Sequence, residues 1–330
     1  MKLVFCGTPE FAVPTLDALI AHGHEIALVV TQPDRPSGRG LELHLSPVKQ
    51  CAKHHGLPVE QPEKIKKNQQ FRALLEAIAP QAIIVVGYGR LVPPWMLSLP
   101  RHGNINLHAS LLPKYRGAAP IQWAIAEGET ITGVTTMQLD EGLDTGDILM
   151  QGQLQIGTDE TAPGLSARLA AIGAELMIAT LNLVENGTVV RQPQDGRYAS
   201  LAPILKKEDG IANFEFPASR IYNRLRGFQP WPGCYTTFRG KKLAITGAQS
   251  QKGVVQPPSA VSHPTVTGEG ACAAQSPTGT LTLDGDRLFI ACGGGSALEL
   301  LEVQPEGKRR MAVPDFIRGY RPQAGEKLGS

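Results

Sequence analysis

The chain lacks any apolar run long enough to span a bilayer, although 42% of its 330 residues are hydrophobic, so a membrane protein is not expected. Its start, MKLVFCGTPEF, reads directly as a strand and turn, and the expected location is the cytoplasm. The five cysteines (Cys6, Cys51, Cys234, Cys272, Cys292) are scattered, odd in number and without a C-x-x-C pair. That argues against a disulfide framework and against a zinc site. The adjacent His54 and His55 have no ligand nearby in sequence to complete a set, and no metal is expected. A G-x-G-x-x-G loop is also missing. The first turn, C-G-T-P-E-F, lacks the further glycines that let a backbone approach a pyrophosphate, which disfavours a nicotinamide cofactor.

Charge of one sign is scarce too: the net charge is only +2. Cut after residue 208, however, the first part holds 18 basic against 20 acidic residues (−2) and the remainder 14 against 10 (+4). Such an imbalance becomes informative beside a nucleic-acid substrate.

What is present is a run of β-α units. KLVFC (2–6), EIALVV (25–30), AIIVVG (82–87) and INLHA (105–109) read as strands between helical stretches, which predicts a doubly wound, Rossmann-like parallel sheet. A helix is expected from about Ala162 to Asn186, ending in Asn-Gly. The expected domains are 1–188, a polar and turn-rich linker over 189–208, and a second domain over 209–330. The second opens with the helix SRIYNRLRG and continues with the short strands CYTTF, KLAIT, GTLTL, RLFIAC and ALELLEV, which suggests a small barrel. Residues 247–279, rich in Gly, Ala, Pro, Ser and Thr, read as a long loop between strands.

The densest chemical signal is NINLHASLLPKYRGAAP, followed at a distance by LDEGLDTGDI. Asn106 and His108 are two apart, so on a strand they share a face while Ile105 and Leu107 turn to the core. An amide that donates beside an imidazole that titrates suits a reaction in which an oxyanion forms while an amine loses a proton. That is acyl transfer without a protein nucleophile.

These segments, with CGTPEFAVPTLDAL, VVTQPDRPSGRG, VVGYGRLVP, RLRGFQPWPGCYTTF and LLEVQPEGKRRM, resemble the methionyl-tRNA formyltransferases, a family of 10-formyltetrahydrofolate-dependent formyltransferases. The resemblance implies an OB-like second domain and catalytic roles for Asn106, His108 and Asp144. It also implies a folate site at Ser110, Leu111, Leu112 and Pro113, with backbone around Val86, Gly87, Tyr88, Gly89, Arg90 and Leu91 as the other wall. 10-Formyltetrahydrofolate would be the formyl donor and initiator methionyl-tRNA the partner, bound by a monomer.

Arg35 and Arg39, in the loop DRPSGRGLELHLSPVK, would then reach the acceptor end of the tRNA, although Leu41 and Glu42 stand where relatives often carry lysines. Arg220, Arg224, Lys241, Lys242, Lys308, Arg309 and Arg310 would supply phosphate contacts from the second domain. A formyltransferase acting on glycinamide ribonucleotide or an amino-sugar nucleotide would share the N-x-H-x-S-L-L-P core, and a formyl-folate hydrolase would keep the triad. A non-catalytic RNA-binding module would leave Asn106, His108 and Asp144 without a purpose.

Overall fold

The computed structural model describes residues 1–37, 42–251 and 276–329. They divide into two compact units, one of residues 1–124 and 130–204, the other of 125–129 and 205 onward. The segment read as a linker is therefore divided at Ile204. Residues 189–204 cluster with the first unit because their backbone is tied to it: Gln192 bridges Ile148, and Leu201 bridges Arg116.

The first unit runs β1 (Lys2–Gly7), α1 (Val13–Ala21), β2 (Glu25–Val30), β3 (Arg35–Ser37), β4 (Glu42–His44), α2 (Pro47–His54), β5 (Val59–Glu60), α3 (Gln69–Ile78), β6 (Ala82–Val86), α4 (Pro94–Leu97), β7 (Asn104–His108), α5 (Pro120–Ala126), β8 (Ile131–Gln138), β9 (Ile148–Gln155) and α6 (Ala162–Glu185). The main sheet has the order β5-β2-β1-β6-β7-β8-β9. It is parallel from β5 to β7, with registers such as Val4 against Ile83 and Ile84 against Ile105. The fold is Rossmann-like, as expected, with an addition that the strand reading omitted: β8 and β9 extend the sheet antiparallel beside β7. Central strands are apolar on both faces because helices cover both. Val4, Cys6, Leu28, Val30, Ile83 and Val85 pack with Phe71, Leu75 and Met96. Leu107 meets α6 at Gly173, where a Cβ would come within 2.6 Å of Leu107 Cδ2, so any larger residue there would push the Leu107 side chain aside.

Helix α6 corrects the expectation that no segment is long and apolar enough for a bilayer. It has 24 residues and a mean hydropathy of 1.5 over its most apolar 18. Its burial is one-sided. Leu165, Leu169, Gly173, Met177, Leu181 and Val184 are buried at three- and four-residue spacing, while Arg168 and Glu175 are exposed. The apolar length reflects a long helix seated on β8, β9 and α1 in a protein core.

The second unit contains α7 (Ala218–Gly227), β10 (Cys234–Phe238), β11 (Lys241–Gln251), β12 (Leu281–Asp284), β13 (Arg287–Cys292), β14 (Ser296–Pro305), β15 (Met311–Ala312) and α8 (Val313–Tyr320). The strands form one antiparallel sheet in the order β10-β11-β14-β13-β12, with β15 beside β14. Its two edge strands are joined by the last described residues. Gly325 N–H and Leu328 N–H donate to Leu281 and Gly279 beside β12, and Gly329 N–H donates to Thr237 of β10. Leu328 itself is buried with Leu281, Phe316 and the other core residues. The stretch read as a loop from 247 is strand as far as Gln251, paired to Ala297. Residues 252–275 lie outside the described ones.

Candidate active site

The carboxyl ends of β6 and β7 carry the residues singled out above, as is general for ligand sites in open α/β sheets. Asn106 and His108 close β7 on one face and are nearly buried, 8% and 6% exposed. The Asn106 side chain has no hydrogen-bond partner among the described residues. Asn104, on the same strand, donates to the carbonyls of Met96 and Leu97 at 2.9 and 3.1 Å. Its Oδ1, by contrast, is sealed from solvent without a partner, whereas the Asn106 amide is not sealed and can meet a partner from outside.

His108 Nε2 lies 2.9 Å from the Tyr115 carbonyl. A carbonyl only accepts, so Nε2 carries the hydrogen, and Nδ1 of the neutral ring presents a lone pair. Nδ1 faces Asp144 Oδ2 at 3.7 Å, so a proton arriving at Nδ1 would create an imidazolium beside a carboxylate. The Asp144 carboxylate is held in turn by the backbone N–H of Gly117, at 2.8 Å. Asp144 and Tyr115 both have left-handed backbones, φ +52° and +60°. Such conformations are costly for residues other than glycine and persist where the surroundings enforce them.

Of the surroundings that do so, Gln194 escaped the sequence reading. Gln194 Nε2 donates to the carbonyls of Asp144 and Gly146, at 2.9 and 2.8 Å, and Arg116 grips Gln194 Oε1. Gly117, at φ +120°, sits where a Cβ would be 2.7 Å from the Ala202 carbonyl. By contrast Asp140, in the same acidic turn as Asp144, binds Gly142 N–H and Thr145 and serves its own loop.

Several backbone groups of the expected folate loop, Ser110 to Pro113, are already engaged. Buried Thr135, on β8, donates to the Ser110 carbonyl at 2.7 Å and accepts from Leu112 N–H at 3.2 Å. Gln151, on β9, donates to the Leu112 carbonyl at 2.9 Å and to Thr135 Oγ1 at 3.0 Å. Ser110 Oγ donates to Lys114, and Leu112 belongs to the core, leaving Leu111 and Pro113 half-buried. Buried polar groups must be partnered, and the antiparallel strands supply those partners.

After β6, Val86 is buried, Gly87 and Gly89 have positive φ, and Leu91 is 81% exposed. The Tyr88 ring is in the core with Met96 and Phe71, so only its backbone is available to a wall. Its carbonyl and that of Gly89 accept from Gln32. Arg90 bonds the Glu63 carbonyl and Gln32.

The basic residues fall into three groups. Arg35 is exposed on β3, whereas Arg39 and Leu41 lie outside the described residues; Glu42 pairs with Ser37 through its backbone. In the second unit, pairing of β11 with β14 sets Leu243 against Pro305 and Ala244 against Gln304. This draws exposed Lys241 and Lys242 to the same end of the sheet as exposed Lys308, Arg309 and Arg310. Lys242, Arg310 and Gln304 line a groove of about 250 Å³ with Tyr235, whose ring lies 3.9 Å from Lys242 Nζ. The α7 arginines are more committed. Arg220 stacks on Phe216 at 4.3 Å and bonds Glu127, Arg224 lies over Phe216 and Phe228, and Arg226 is buried.

The formyl transferase family pattern matches residues 1–181, and the pattern for the formyl transferase C-terminal domain matches 204–321. The chain belongs to the formyl transferase family. The relatives it matches from end to end are narrower in kind. It is 57% identical to the methionyl-tRNA formyltransferase of Acidobacterium capsulatum, with 100% of both chains covered. It is 54% identical to that of Koribacter versatilis, over 100% of this chain and 99% of the relative. Among solved structures, an N-formyltransferase from Helicobacter canadensis, in complex with folinic acid and dTDP-3-aminofucose, has a TM-score of 0.63 at 18% identity, covering 92% of this chain and 99% of that one. At that identity the likeness is one of fold.

Proposed function

We propose that this protein transfers the formyl group of 10-formyltetrahydrofolate to the free amino group of methionyl-initiator tRNA. The observation that carries the proposal is the Asn106 amide, left without a hydrogen-bond partner among the described residues and open to an incoming one, beside His108 and Asp144, in a chain similar over its whole length to methionyl-tRNA formyltransferases.

The amine nitrogen attacks the formyl carbon, and the carbonyl π electrons move onto oxygen. Asn106 donates to that developing oxyanion, a contact of a kind worth about 2.7–4 kcal/mol in other enzymes. His108 Nδ1 takes the proton that the amine loses, and Asp144 stabilises the resulting imidazolium. When the C–N10 bond breaks, N10 leaves with the electron pair and receives a proton, which gives tetrahydrofolate and N-formylmethionyl-tRNA. The loop 110–113 and the backbone 86–91 hold the flat pterin, with Thr135 and Gln151 fixing the first of these. Lys241, Lys242, Lys308, Arg309 and Arg310 meet phosphates, and Arg35 approaches the acceptor end.

Incubation with 10-formyltetrahydrofolate and charged initiator tRNA should yield formyl-methionine. Parallel reactions with glycinamide ribonucleotide, with an amino-sugar nucleotide and with water as acceptor test the rival acceptors. Product in one of those arms and none with the tRNA would overturn the proposal.

A further inference from the structure

Helices α1 and α2 bring three side chains of different chemistry to one point of the first unit, and none of the three belongs to the formyl-transfer proposal. Cys51 and His55 are four residues apart, so one turn of helix sets them on the same side. Asp17 comes from the middle of α1, which packs on α2. Asp17 Oδ1 lies 2.9 Å from His55 Nε2 and 3.2 Å from Cys51 Sγ. One ligand atom from each of the three lies within 4.8 Å of the others. The sequence reading left His54 and His55 without a ligand to complete a set; the packing of α1 on α2 brings Asp17 to His55 and Cys51. The cluster is reached from solvent, since the Asp17 and His55 side chains are 50% and 32% exposed.

We propose that Asp17, Cys51 and His55 bind a divalent transition-metal ion of borderline softness, Zn²⁺ fitting best, through one carboxylate, one thiolate and one imidazole, with water as the fourth ligand. A mixed O, S, N set on a tetrahedral centre is the donor combination such an ion takes, and hard cations such as Mg²⁺ are not suited to it. A bound ion must overcome the thiol's own proton. Burial, the hydrogen bond to Asp17 and the charges of Asp17 and Glu10 push the Cys51 thiol up to about 12, so by itself it stays protonated. The same negative surroundings favour a dication, which displaces the thiol proton to solvent and leaves the sulfur as thiolate. The ion staples α2 to α1. At the start of α2, Lys49 pairs with Asp34, just before the hairpin of β3 and β4, so the staple steadies the base of that hairpin.

Co²⁺ serves as the probe, because thiolate ligation gives it a near-ultraviolet charge-transfer band. The full chain, reduced and free of chelators, should develop this band with one equivalent of Co²⁺ and lose it when Zn²⁺ is added. Cys51→Ser should abolish the band, and Cys272→Ser, at the cysteine outside the described residues, should leave it unchanged. His55→Ala and Asp17→Asn should each weaken Zn²⁺ binding at least tenfold in competition with a chromogenic chelator. Formylation by Cys51→Ser without added metal should match the parent, which separates this site from the reaction. A missing band, or one that survives Cys51→Ser, would overturn the assignment. Should Cys51→Ser fail to fold, unchanged Zn²⁺ affinity in His55→Ala would overturn it equally.

Discussion

The two units bury different things. In the first, Asn104, Asn106, His108, Ser110, Thr135 and Thr136 are buried at or beside β7, amid an otherwise apolar sheet. In the second, the buried polar residues are only Arg226, Thr236 and Glu299 among those described, and cationic side chains gather on the outside. Burying polar groups costs stability unless they are partnered, and under the proposed function the first unit's interior holds the groups that do the chemistry. The second keeps an apolar interior and spends its surface on charge, where attraction to phosphate is long-ranged and non-directional. Substitutions should therefore act on rate in one unit and on affinity in the other.

The largest effect is expected at the first unit's strand end. Asn106→Ala should lower kcat by about 10²–10³-fold, as loss of one oxyanion donor does elsewhere. His108→Ala and Asp144→Ala should fall in the same range, with affinity for the formyl donor little changed. Single-turnover formylation and equilibrium folate binding check this. Equal losses in both measurements would mean that these residues bind ground state and transition state alike.

A step below comes Thr135→Val, which keeps shape but removes a buried hydroxyl that donates to Ser110 and accepts from Leu112 and Gln151. The orphaned partners should cost about 1–3 kcal/mol of stability. The effect on catalysis should appear in KM for the formyl donor more than in kcat. Denaturant unfolding and steady-state kinetics measure the two.

In the second unit, Glu299 offers a test of its one buried carboxylate. The Arg287 guanidinium bonds both carboxylate oxygens at 2.8 Å and holds the group below the usual glutamate range, helped by Gln251. Its contribution is therefore complete above the unfolded value, about pH 4.3, and is lost as pH falls through the lower folded value. Glu299→Gln should cost about 0.5–1 kcal/mol at neutral pH, since Arg287 is half exposed, and should flatten acid denaturation in that window. Urea unfolding at stepped pH gives the comparison.

The smallest effect belongs to a single surface cation. Lys242→Ala should weaken tRNA binding a few-fold and make the salt dependence shallower by about one phosphate, leaving kcat at saturating tRNA unchanged. A fall in kcat instead would blur the contrast between the units.

The parallel sheet was legible because strand runs alternate with helical stretches, and the pairing of Asn106 with His108 follows from the two-residue period of a strand. Thr135, Gln151 and Gln194 were not, since each acts on a loop that lies far off in sequence. The alternation of ILMQGQLQ, whose exposure follows the period from Met150 onward, was the available signal for β9. Asp144 came only from the resemblance; its turn holds a second aspartate, Asp140, with ordinary loop bonds. Cys51 and His55 show their helical spacing in the sequence, but Asp17 joins them only through the packing of two helices.

The segment 325–329 that joins β10 to β12 also sets an order of events during synthesis. Chains emerge from the ribosome at about 5–20 residues per second and domains fold as units, the N-terminal one first. Every strand of the first unit's main sheet has been made by Gln155, and the long helix α6 that packs on it by Glu185. The second sheet can assemble strand by strand, but among the described residues the outer edge of β12 stays open, and that of β10 is covered only beside Tyr235 by residues 211–212, until 325–329 have been made, and open edges invite pairing with other chains. A nascent chain stalled shortly before residue 325 would therefore carry a finished sheet beside an adhesive one.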